Sequence, residues 1–535
     1  MEKKNKKTVF GILKSLQIFI IVPILIFVYF LTLGINLPYV GPNATNFNNY
    51  SLIARNYNKF GLLNTKFAQI TSVSRTLPDN PQYYLHHPPL ISIIQALFFK
   101  ILGESFMTGR LPVIIFSILS LVFIYFIGKE IKNKKFALVA VIIYCFIPAS
   151  SIFGRMIGQE PLVLFFSLAS IYLLLKYLKS KSKLMLLLFF ISIVLGTLSD
   201  WPMIYFSFWT SWFLIFKKEY KLAVACFAAS LLTGIAFLLN IYYLVHGFSD
   251  IIAAFLTRSP GQLLNLPFWP IIWPLVIFIR LNVYFTPLFT LFSLVFLKGF
   301  RETNRQNNNT VPIIFVMLFF GLTHIALFPE GSFGHPYWIY YLIPFIVFYS
   351  TFTLFKLFSS KKILLAVVLA VNFYFFIRVE NWKIKEIQAN LWRYDIAKTI
   401  EDKYLAPYET ISINSNSLVD PDMFAYQFNH DVLILNPKDI IKKETNTDHY
   451  IYSCFGECLK DKNLIELLEN KKYVKEKFSQ GDVYTIFLKE KRKNPGSENL
   501  YLSDSRNSLN IVSGKESLFK KIYNYLLTFL HMPQL

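Results

Sequence analysis

Cysteine is scarce in this chain, with four in 535 residues, too few for a disulfide framework. Cys145 and Cys226 fall in apolar runs and read as packing residues. Cys454 and Cys458 form the short motif C-F-G-E-C; two thiols lack the ligand count of a closed zinc site, and a local disulfide stays open. Acidic residues are also few, 32 Asp+Glu against 54 Lys+Arg. Much of that basic excess sits in short loops between apolar runs, where it sets topology, so no nucleic-acid partner is expected. Internal repeats are absent, and no small-residue cleavage signal follows the first apolar run, about residues 18–37, which reads as a retained helix. What the chain has is apolar: 54% hydrophobic residues, 55 phenylalanines and a mean hydropathy of +0.44. A bilayer cannot hydrate backbone amides, so long apolar runs over about two-thirds of a chain predict spanning helices.

The expected fold is mainly α, a polytopic helical membrane protein. About eleven spans are predicted near 15–37, 110–128, 136–153, 161–178, 184–199, 203–216, 222–246, 272–297, 311–328, 338–355 and 363–379. The loops on one side (1–14, 129–135, 176–183, 217–221, 298–310, 356–362) carry 22 Lys or Arg in 54 positions; those on the other carry six. This asymmetry predicts a cytoplasmic amino terminus and a tail outside the cytoplasmic membrane. Residues 1–379 form the expected membrane domain, with 38–108 as a long outer loop that includes an interfacial helix near 88–102. Residues 380–490 read as a small extracytoplasmic α/β domain, with strands at 410–413, 431–435 and 483–487 and a helical pattern at 390–404. A polar linker and an amphipathic helix follow in 491–535.

Polar chemistry gathers in the outer loops. They hold Asn43 and Asn46, then Arg55, then Tyr84, His86 and His87, then Arg155 and Glu160, Asp200 beside Trp201, Arg258, and His335 with Tyr337. A loop of about fifty residues is too long for a mere connector. Glu160 opens a helix, where the dipole favours an anion, and acidic groups at membrane depth pair or act. Against these stand plainer readings: Asp200 in the aromatic belt, His86 and His87 as an interfacial pair, and arginines on anionic lipid. Arginine also clamps phosphate bidentately.

The order of motifs resembles a known class. A first helix and long outer loop lead to Tyr50-x-x-x-Ala54-Arg55-Asn56, then His86-His87-Pro88-Pro89-Leu90, Gly109-Arg110-Leu111-Pro112 and Gly154-Arg155-x-x-x-x-Glu160-Pro161. Over residues 15–380 this is similar to the GT-C membrane glycosyltransferases, in the branch of protein O-mannosyltransferases and aminoarabinose transferases (glycosyltransferase families 39 and 83). Asp200-Trp201-Pro202 and His335-Pro336-Tyr337-Trp338 resemble further motifs of that branch. The resemblance implies transfer of a sugar from a polyprenyl-phosphate donor to a lipid, glycan or protein acceptor at the outer membrane face. Glu160 matches an acidic position that in relatives binds substrate or a divalent metal; no metal or other cofactor is fixed by the sequence itself. Asn43, Arg55, Tyr84, His86, His87, Arg155, Arg258, His335 and Tyr337 are the expected substrate-binding residues.

The resemblance also implies a first-loop Asp as the catalytic base. This chain has no carboxylate between Leu37 and Asp79 and carries Asn43, Asn46, Asn48 and Asn49 there; an amide cannot accept a proton at neutral pH. Glu160 or Asp200 is the first alternative base, orientation by Asn46 of an acceptor needing little activation the second, and loss of activity the third. The rival functions are a transporter or flippase of a lipid-linked glycan, which calls for mid-span charges and broken helices in paired halves, and an inactive scaffold that binds polyprenyl lipid.

Overall fold

Each predicted apolar run becomes helix in the computed structural model, which describes residues 20–41, 43–259, 268–295, 310–358, 362–414, 417, 420–435, 449–455, 474–480 and 483–489. The first run gives α1 (Ile20–Thr32). The long loop after α1 contributes α2 (Ala44–Phe60) and α3 (Leu90–Leu102), the latter where an interfacial helix was expected. The bundle continues with α4 (Phe106–Ile131), α5 (Lys134–Cys145), α6 (Pro148–Ile152), α7 (Glu160–Ser180), α8 (Lys183–Ser199), α9 (Pro202–Phe216) and α10 (Tyr220–Val245). Then come α11 (Ser249–Arg258), α12 (Trp269–Phe285), α13 (Pro287–Val295), α14 (Thr310–Leu327), α15 (Pro329–Gly334), a 3₁₀ segment (Pro336–Leu342), α16 (Ile343–Phe358) and α17 (Lys362–Gln388). Five of the described helices are long and apolar enough to cross a bilayer, six if the bent pair α12–α13 makes one span.

Two of the expected spans are not continuous. The 136–153 run breaks between α5 and α6, because Pro148 has no N–H to give and its ring clashes with the preceding turn. The freed carbonyls do not go unmet: Ser150 Oγ donates to Tyr144 O and Ile147 O, both at 2.6 Å. The 272–297 run bends by 117° between α12 and α13. Thr286, at φ 67°, precedes Pro287 and cannot extend the helix. Its hydroxyl donates to Asn372 of α17, and Thr290 Oγ1 donates to Leu281 O at 3.0 Å. Broken backbone at membrane depth persists only where the protein satisfies it in this way. Residues 247–265, expected as loop, contain α11.

Beyond α17 lie α18 (Leu391–Tyr404), β1 (Thr410–Asn414), α19 (Pro421–Gln427), β2 (Asp431–Leu435), β3 (His449–Phe455), β4 (Val474–Gln480) and β5 (Val483–Lys489). The five strands form one mixed sheet in the order β2-β1-β3-β5-β4, parallel on the β1 side and antiparallel at β5. Strands β3 and β4 were not anticipated. Cys458, the 491–513 linker and the 518–530 helix lie outside the described residues.

This unit is fastened to the outer loop helix α2. Gln427 Nε2 donates to Asn48 Oδ1 at 2.8 Å and to Tyr39 O at 3.2 Å. The Arg55 guanidinium lies 4.5 Å from the Tyr426 ring centroid, and Tyr426 stacks on Tyr39 at 5.7 Å. On the membrane side, α4 and α5 pack so closely that a Cβ on Gly128 would stand 2.9 Å from Ala137 Cα. Backbone cannot retreat as a side-chain tip can, so Gly128→Val is expected to cost about 1–3 kcal/mol. Thermal unfolding of the purified protein in detergent, followed by tryptophan fluorescence, checks this.

Candidate functional site

The amino ends of α7 and α9 and the carboxyl end of α8 converge beneath the long loop that follows α1. Pro161 at the second helical position fixes the start of α7, so Glu160 begins the helix and points from its amino end. Glu160 is 5% exposed, and its Oε2 has no hydrogen-bond partner. Asp200 follows α8 in extended conformation (φ −170°), is 4% exposed, and lies near enough for its charge to act on Glu160. Two buried carboxylates thus share one site.

Asp200 Oδ1 accepts from His87 Nδ1 at 2.7 Å. Trp201 Nε1 donates to His86 O at 2.7 Å, which ties the turn after α8 to the His-His-Pro-Pro segment. The Tyr84 ring stands 5.0 Å from that of His86 and stacks on that of His87 at 6.0 Å. The Tyr84 and Tyr50 hydroxyls are 3.2 Å apart, and Gln159 donates to Tyr50. Burial pushes the Tyr84 phenol up to about 12, so it stays protonated and able to donate at neutral pH.

From the other side come Tyr337 and His335. Asn46, in the first turn of α2, lies close enough to act on the Tyr337 phenol, and the His335 and Tyr337 rings are 5.2 Å apart. Burial first, then the positive fields of Arg258 and Arg280, lower His335 to about 4, leaving it neutral near pH 7. Arg258 ends α11 and donates to Ala254 O at 2.8 Å. Its charge is felt at Tyr84, Tyr337 and His335, and among the described residues it has no acidic partner.

Glu160, Asp200, Asn46, Tyr84, His86, His87, Arg258, His335 and Tyr337 therefore gather in one place. Asn43, Arg55 and Arg155 do not join them. Asn43 caps α2 in the left-handed region (φ 68°) without a side-chain capping bond. Arg55 pairs with Glu104 at 2.6 Å and lies on Tyr426. Arg155 pairs with the fully buried Glu380 of α17 at 3.2 Å and donates to Phe30 O at 2.6 Å, while Ser151 donates to Glu380 as well. Tyr50, Gln159 and Glu380 were not among the expected site residues. Tyr50 opens the Tyr-x-x-x-Ala-Arg motif and Gln159 adjoins Glu160, so position alone marked both; Glu380 carried no local signal. Among the described residues no three His, Cys, Asp or Glu side chains are grouped to hold a metal. The residues present do not make a closed cation site.

Residues 86–246 match the family model described as dolichyl-phosphate-mannose-protein mannosyltransferase. No curated protein matches the chain in a sequence search. Among solved structures, apo ArnT from Cupriavidus metallidurans superposes with a TM-score of 0.62 at 10% identity, covering 88% of this chain and 98% of its own. The same protein bound to undecaprenyl phosphate gives 0.56 at 10% identity, with 89% and 98% covered. The Archaeoglobus fulgidus oligosaccharyltransferase in complex with Zn and sulfate gives 0.51 at 12% identity, with 87% and 72% covered. The fold is the GT-C membrane fold that the motifs pointed to.

The Arg155–Glu380 pair yields a stability prediction. Glu380→Ala strands a buried guanidinium and is expected to cost about 3–5 kcal/mol. The double variant Arg155→Met, Glu380→Leu should recover most of that loss, as read by thermal denaturation in detergent.

Proposed function

We propose that this protein is a glycosyltransferase that moves a sugar from a polyprenyl-phosphate donor to a lipid, glycan or protein acceptor at the outer face of the cytoplasmic membrane. The observation that carries the reading is the site itself: two buried acidic side chains, one with an unmet oxygen, and an arginine with no acidic partner among the described residues, at helix ends of a GT-C fold. Such a transfer needs a base for the acceptor, a cation for the departing phosphate and an apolar seat for the prenyl chain. Arg258 supplies the positive charge. Glu160 and Asp200 supply the carboxylates, Asn46 and Tyr337 hydrogen-bonding groups for acceptor or sugar, and the Phe-rich outer helices the apolar seat. That ArnT has been solved with undecaprenyl phosphate, and the archaeal oligosaccharyltransferase AglB with a dolichol-phosphate and an inhibitory peptide, supports donor and acceptor of these kinds.

The loop charges support a cytoplasmic amino terminus with the sheet-bearing tail outside. Carboxy-terminal fusions test this: alkaline phosphatase should be active there and green fluorescent protein dark.

The transfer itself is tested with purified protein and a panel of short-chain polyprenyl-phosphate sugars. Wild type should consume one of them. Glu160→Gln and Asp200→Asn should each lower kcat/KM by about 10²-fold or more while undecaprenyl phosphate still binds. Binding of that lipid with turnover of no donor overturns the transferase reading in favour of transport or a scaffold.

A further inference from the structure

The first outer loop has no carboxylate between Leu37 and Asp79, where the resemblance implies the base, but the same loop carries a histidine placed to do that work. We infer that His87, oriented by Asp200, takes the proton from the acceptor, and that the acceptor is therefore a neutral alcohol rather than a preformed anion; the inference rests on the transferase reading above. A carboxylate can only accept, so the 2.7 Å contact with Asp200 Oδ1 keeps the imidazole hydrogen on Nδ1. Nε2 is left with its lone pair, and among the described residues it has no partner. The exposure of the two side chains fits this division of labour: His87 is 21% open and Asp200 6%. Asp200 is spent on the histidine and largely shut off from an incoming acceptor. The nitrogen that remains is the one a substrate can reach.

The imidazole is also held in place. Pro88 restricts the His87 backbone, Gln69 Nε2 donates to His87 O at 2.5 Å, and Trp201 pins His86 O. Tyr84 stacks on the ring. A base fixed by a third group is the geometry that activates a hydroxyl nucleophile in hydrolases; here the acceptor hydroxyl takes the place of the serine. Glu160 has no such arrangement, and its unpartnered Oε2 is left for the donor sugar.

In the step, the acceptor oxygen forms its bond to the anomeric carbon as its proton passes to His87 Nε2. The bond from that carbon to the phosphate oxygen breaks, and its electron pair leaves with polyprenyl phosphate toward Arg258. The imidazolium, stabilised by Asp200, returns the proton to water. The charged or titratable groups around the ring are Asp200 from the turn before α9, Tyr84 from its own loop, and His324 from α14 and His335 from the turn before the 3₁₀ segment, both within electrostatic reach of the imidazolium once it forms. Arg258 acts from α11, and Glu160 lies beyond Asp200.

The test uses the purified full chain, a donor that wild type consumes, and ethanol, 2-chloroethanol and 2,2,2-trifluoroethanol as acceptors of rising acidity. His87→Gln should lower kcat for ethanol by about 10²–10⁴-fold, lose the acidic limb of the kcat profile, and bind undecaprenyl phosphate as wild type does. The loss should shrink along the series, because a more acidic alcohol needs less help. An equal loss on all three acceptors, an unchanged kcat, or weakened undecaprenyl phosphate binding in His87→Gln overturns the assignment while leaving the transferase reading intact. If wild type binds that lipid and consumes no donor, the transferase reading fails and the dyad falls with it.

Discussion

Hydrocarbon offers no partner to a backbone amide or a charge, so the protein must meet each such group itself. Much of the architecture follows from that demand. Arg155 is met by Glu380 and by the carbonyl of Phe30, which ties the second outer loop to both α1 and α17. Arg280 donates to the carbonyls of Ser332 and Phe333, binding α12 to α15. The breaks at Pro148 and Thr286 are closed by Ser150 and Thr290, whose hydroxyls donate to the carbonyls of Tyr144 and Leu281. Against this background Glu160 stands apart. A buried carboxylate oxygen with no partner carries a large desolvation penalty, and such a penalty persists where a ligand relieves it.

The outer loop helix α2 shows how the same constraint reaches beyond the membrane. One side of it faces the site through Asn46 and Tyr50. The other carries Asn48 and Arg55 to the tail unit at Gln427 and Tyr426. The tail is therefore packed on the element that forms one wall of the site.

The sequence was most legible where one physical rule dominates. Apolar runs report membrane helices because composition alone decides them, and the β-branched stretches at 410–413 and 431–435 report strands. Breaks within the runs were hidden, since proline is tolerated in membrane helices and its effect depends on which neighbours satisfy the freed carbonyls. Strand β4, V-K-E-K-F-S-Q, has too many charges to look like one. The site was legible as a set of residues but not as a set of pairs. Arg155 looked free because its partner lies far along the chain, just past an apolar run. His87 looked like half of an interfacial pair because Asp200, which gives it direction, comes from the turn after α8.

Those pairings change which arginine can answer a phosphate. Arg55 is held by Glu104, Arg110 donates to the carbonyls of Ile35 and Leu37, and Arg155 is held by Glu380. Moving any of them to a substrate means breaking a contact already made, and a buried guanidinium exchanged from carboxylate to phosphate returns little net free energy. Arg258 faces no such exchange, because its contact is to a carbonyl of its own helix. A donor that sets its phosphate against Arg258 and its sugar toward Glu160 meets each charge with its opposite or with a hydrogen-bond donor. On the proposed function, the reverse orientation would set the phosphate against Glu160 and Asp200, the two acidic side chains of the site, so the charge pattern favours the first.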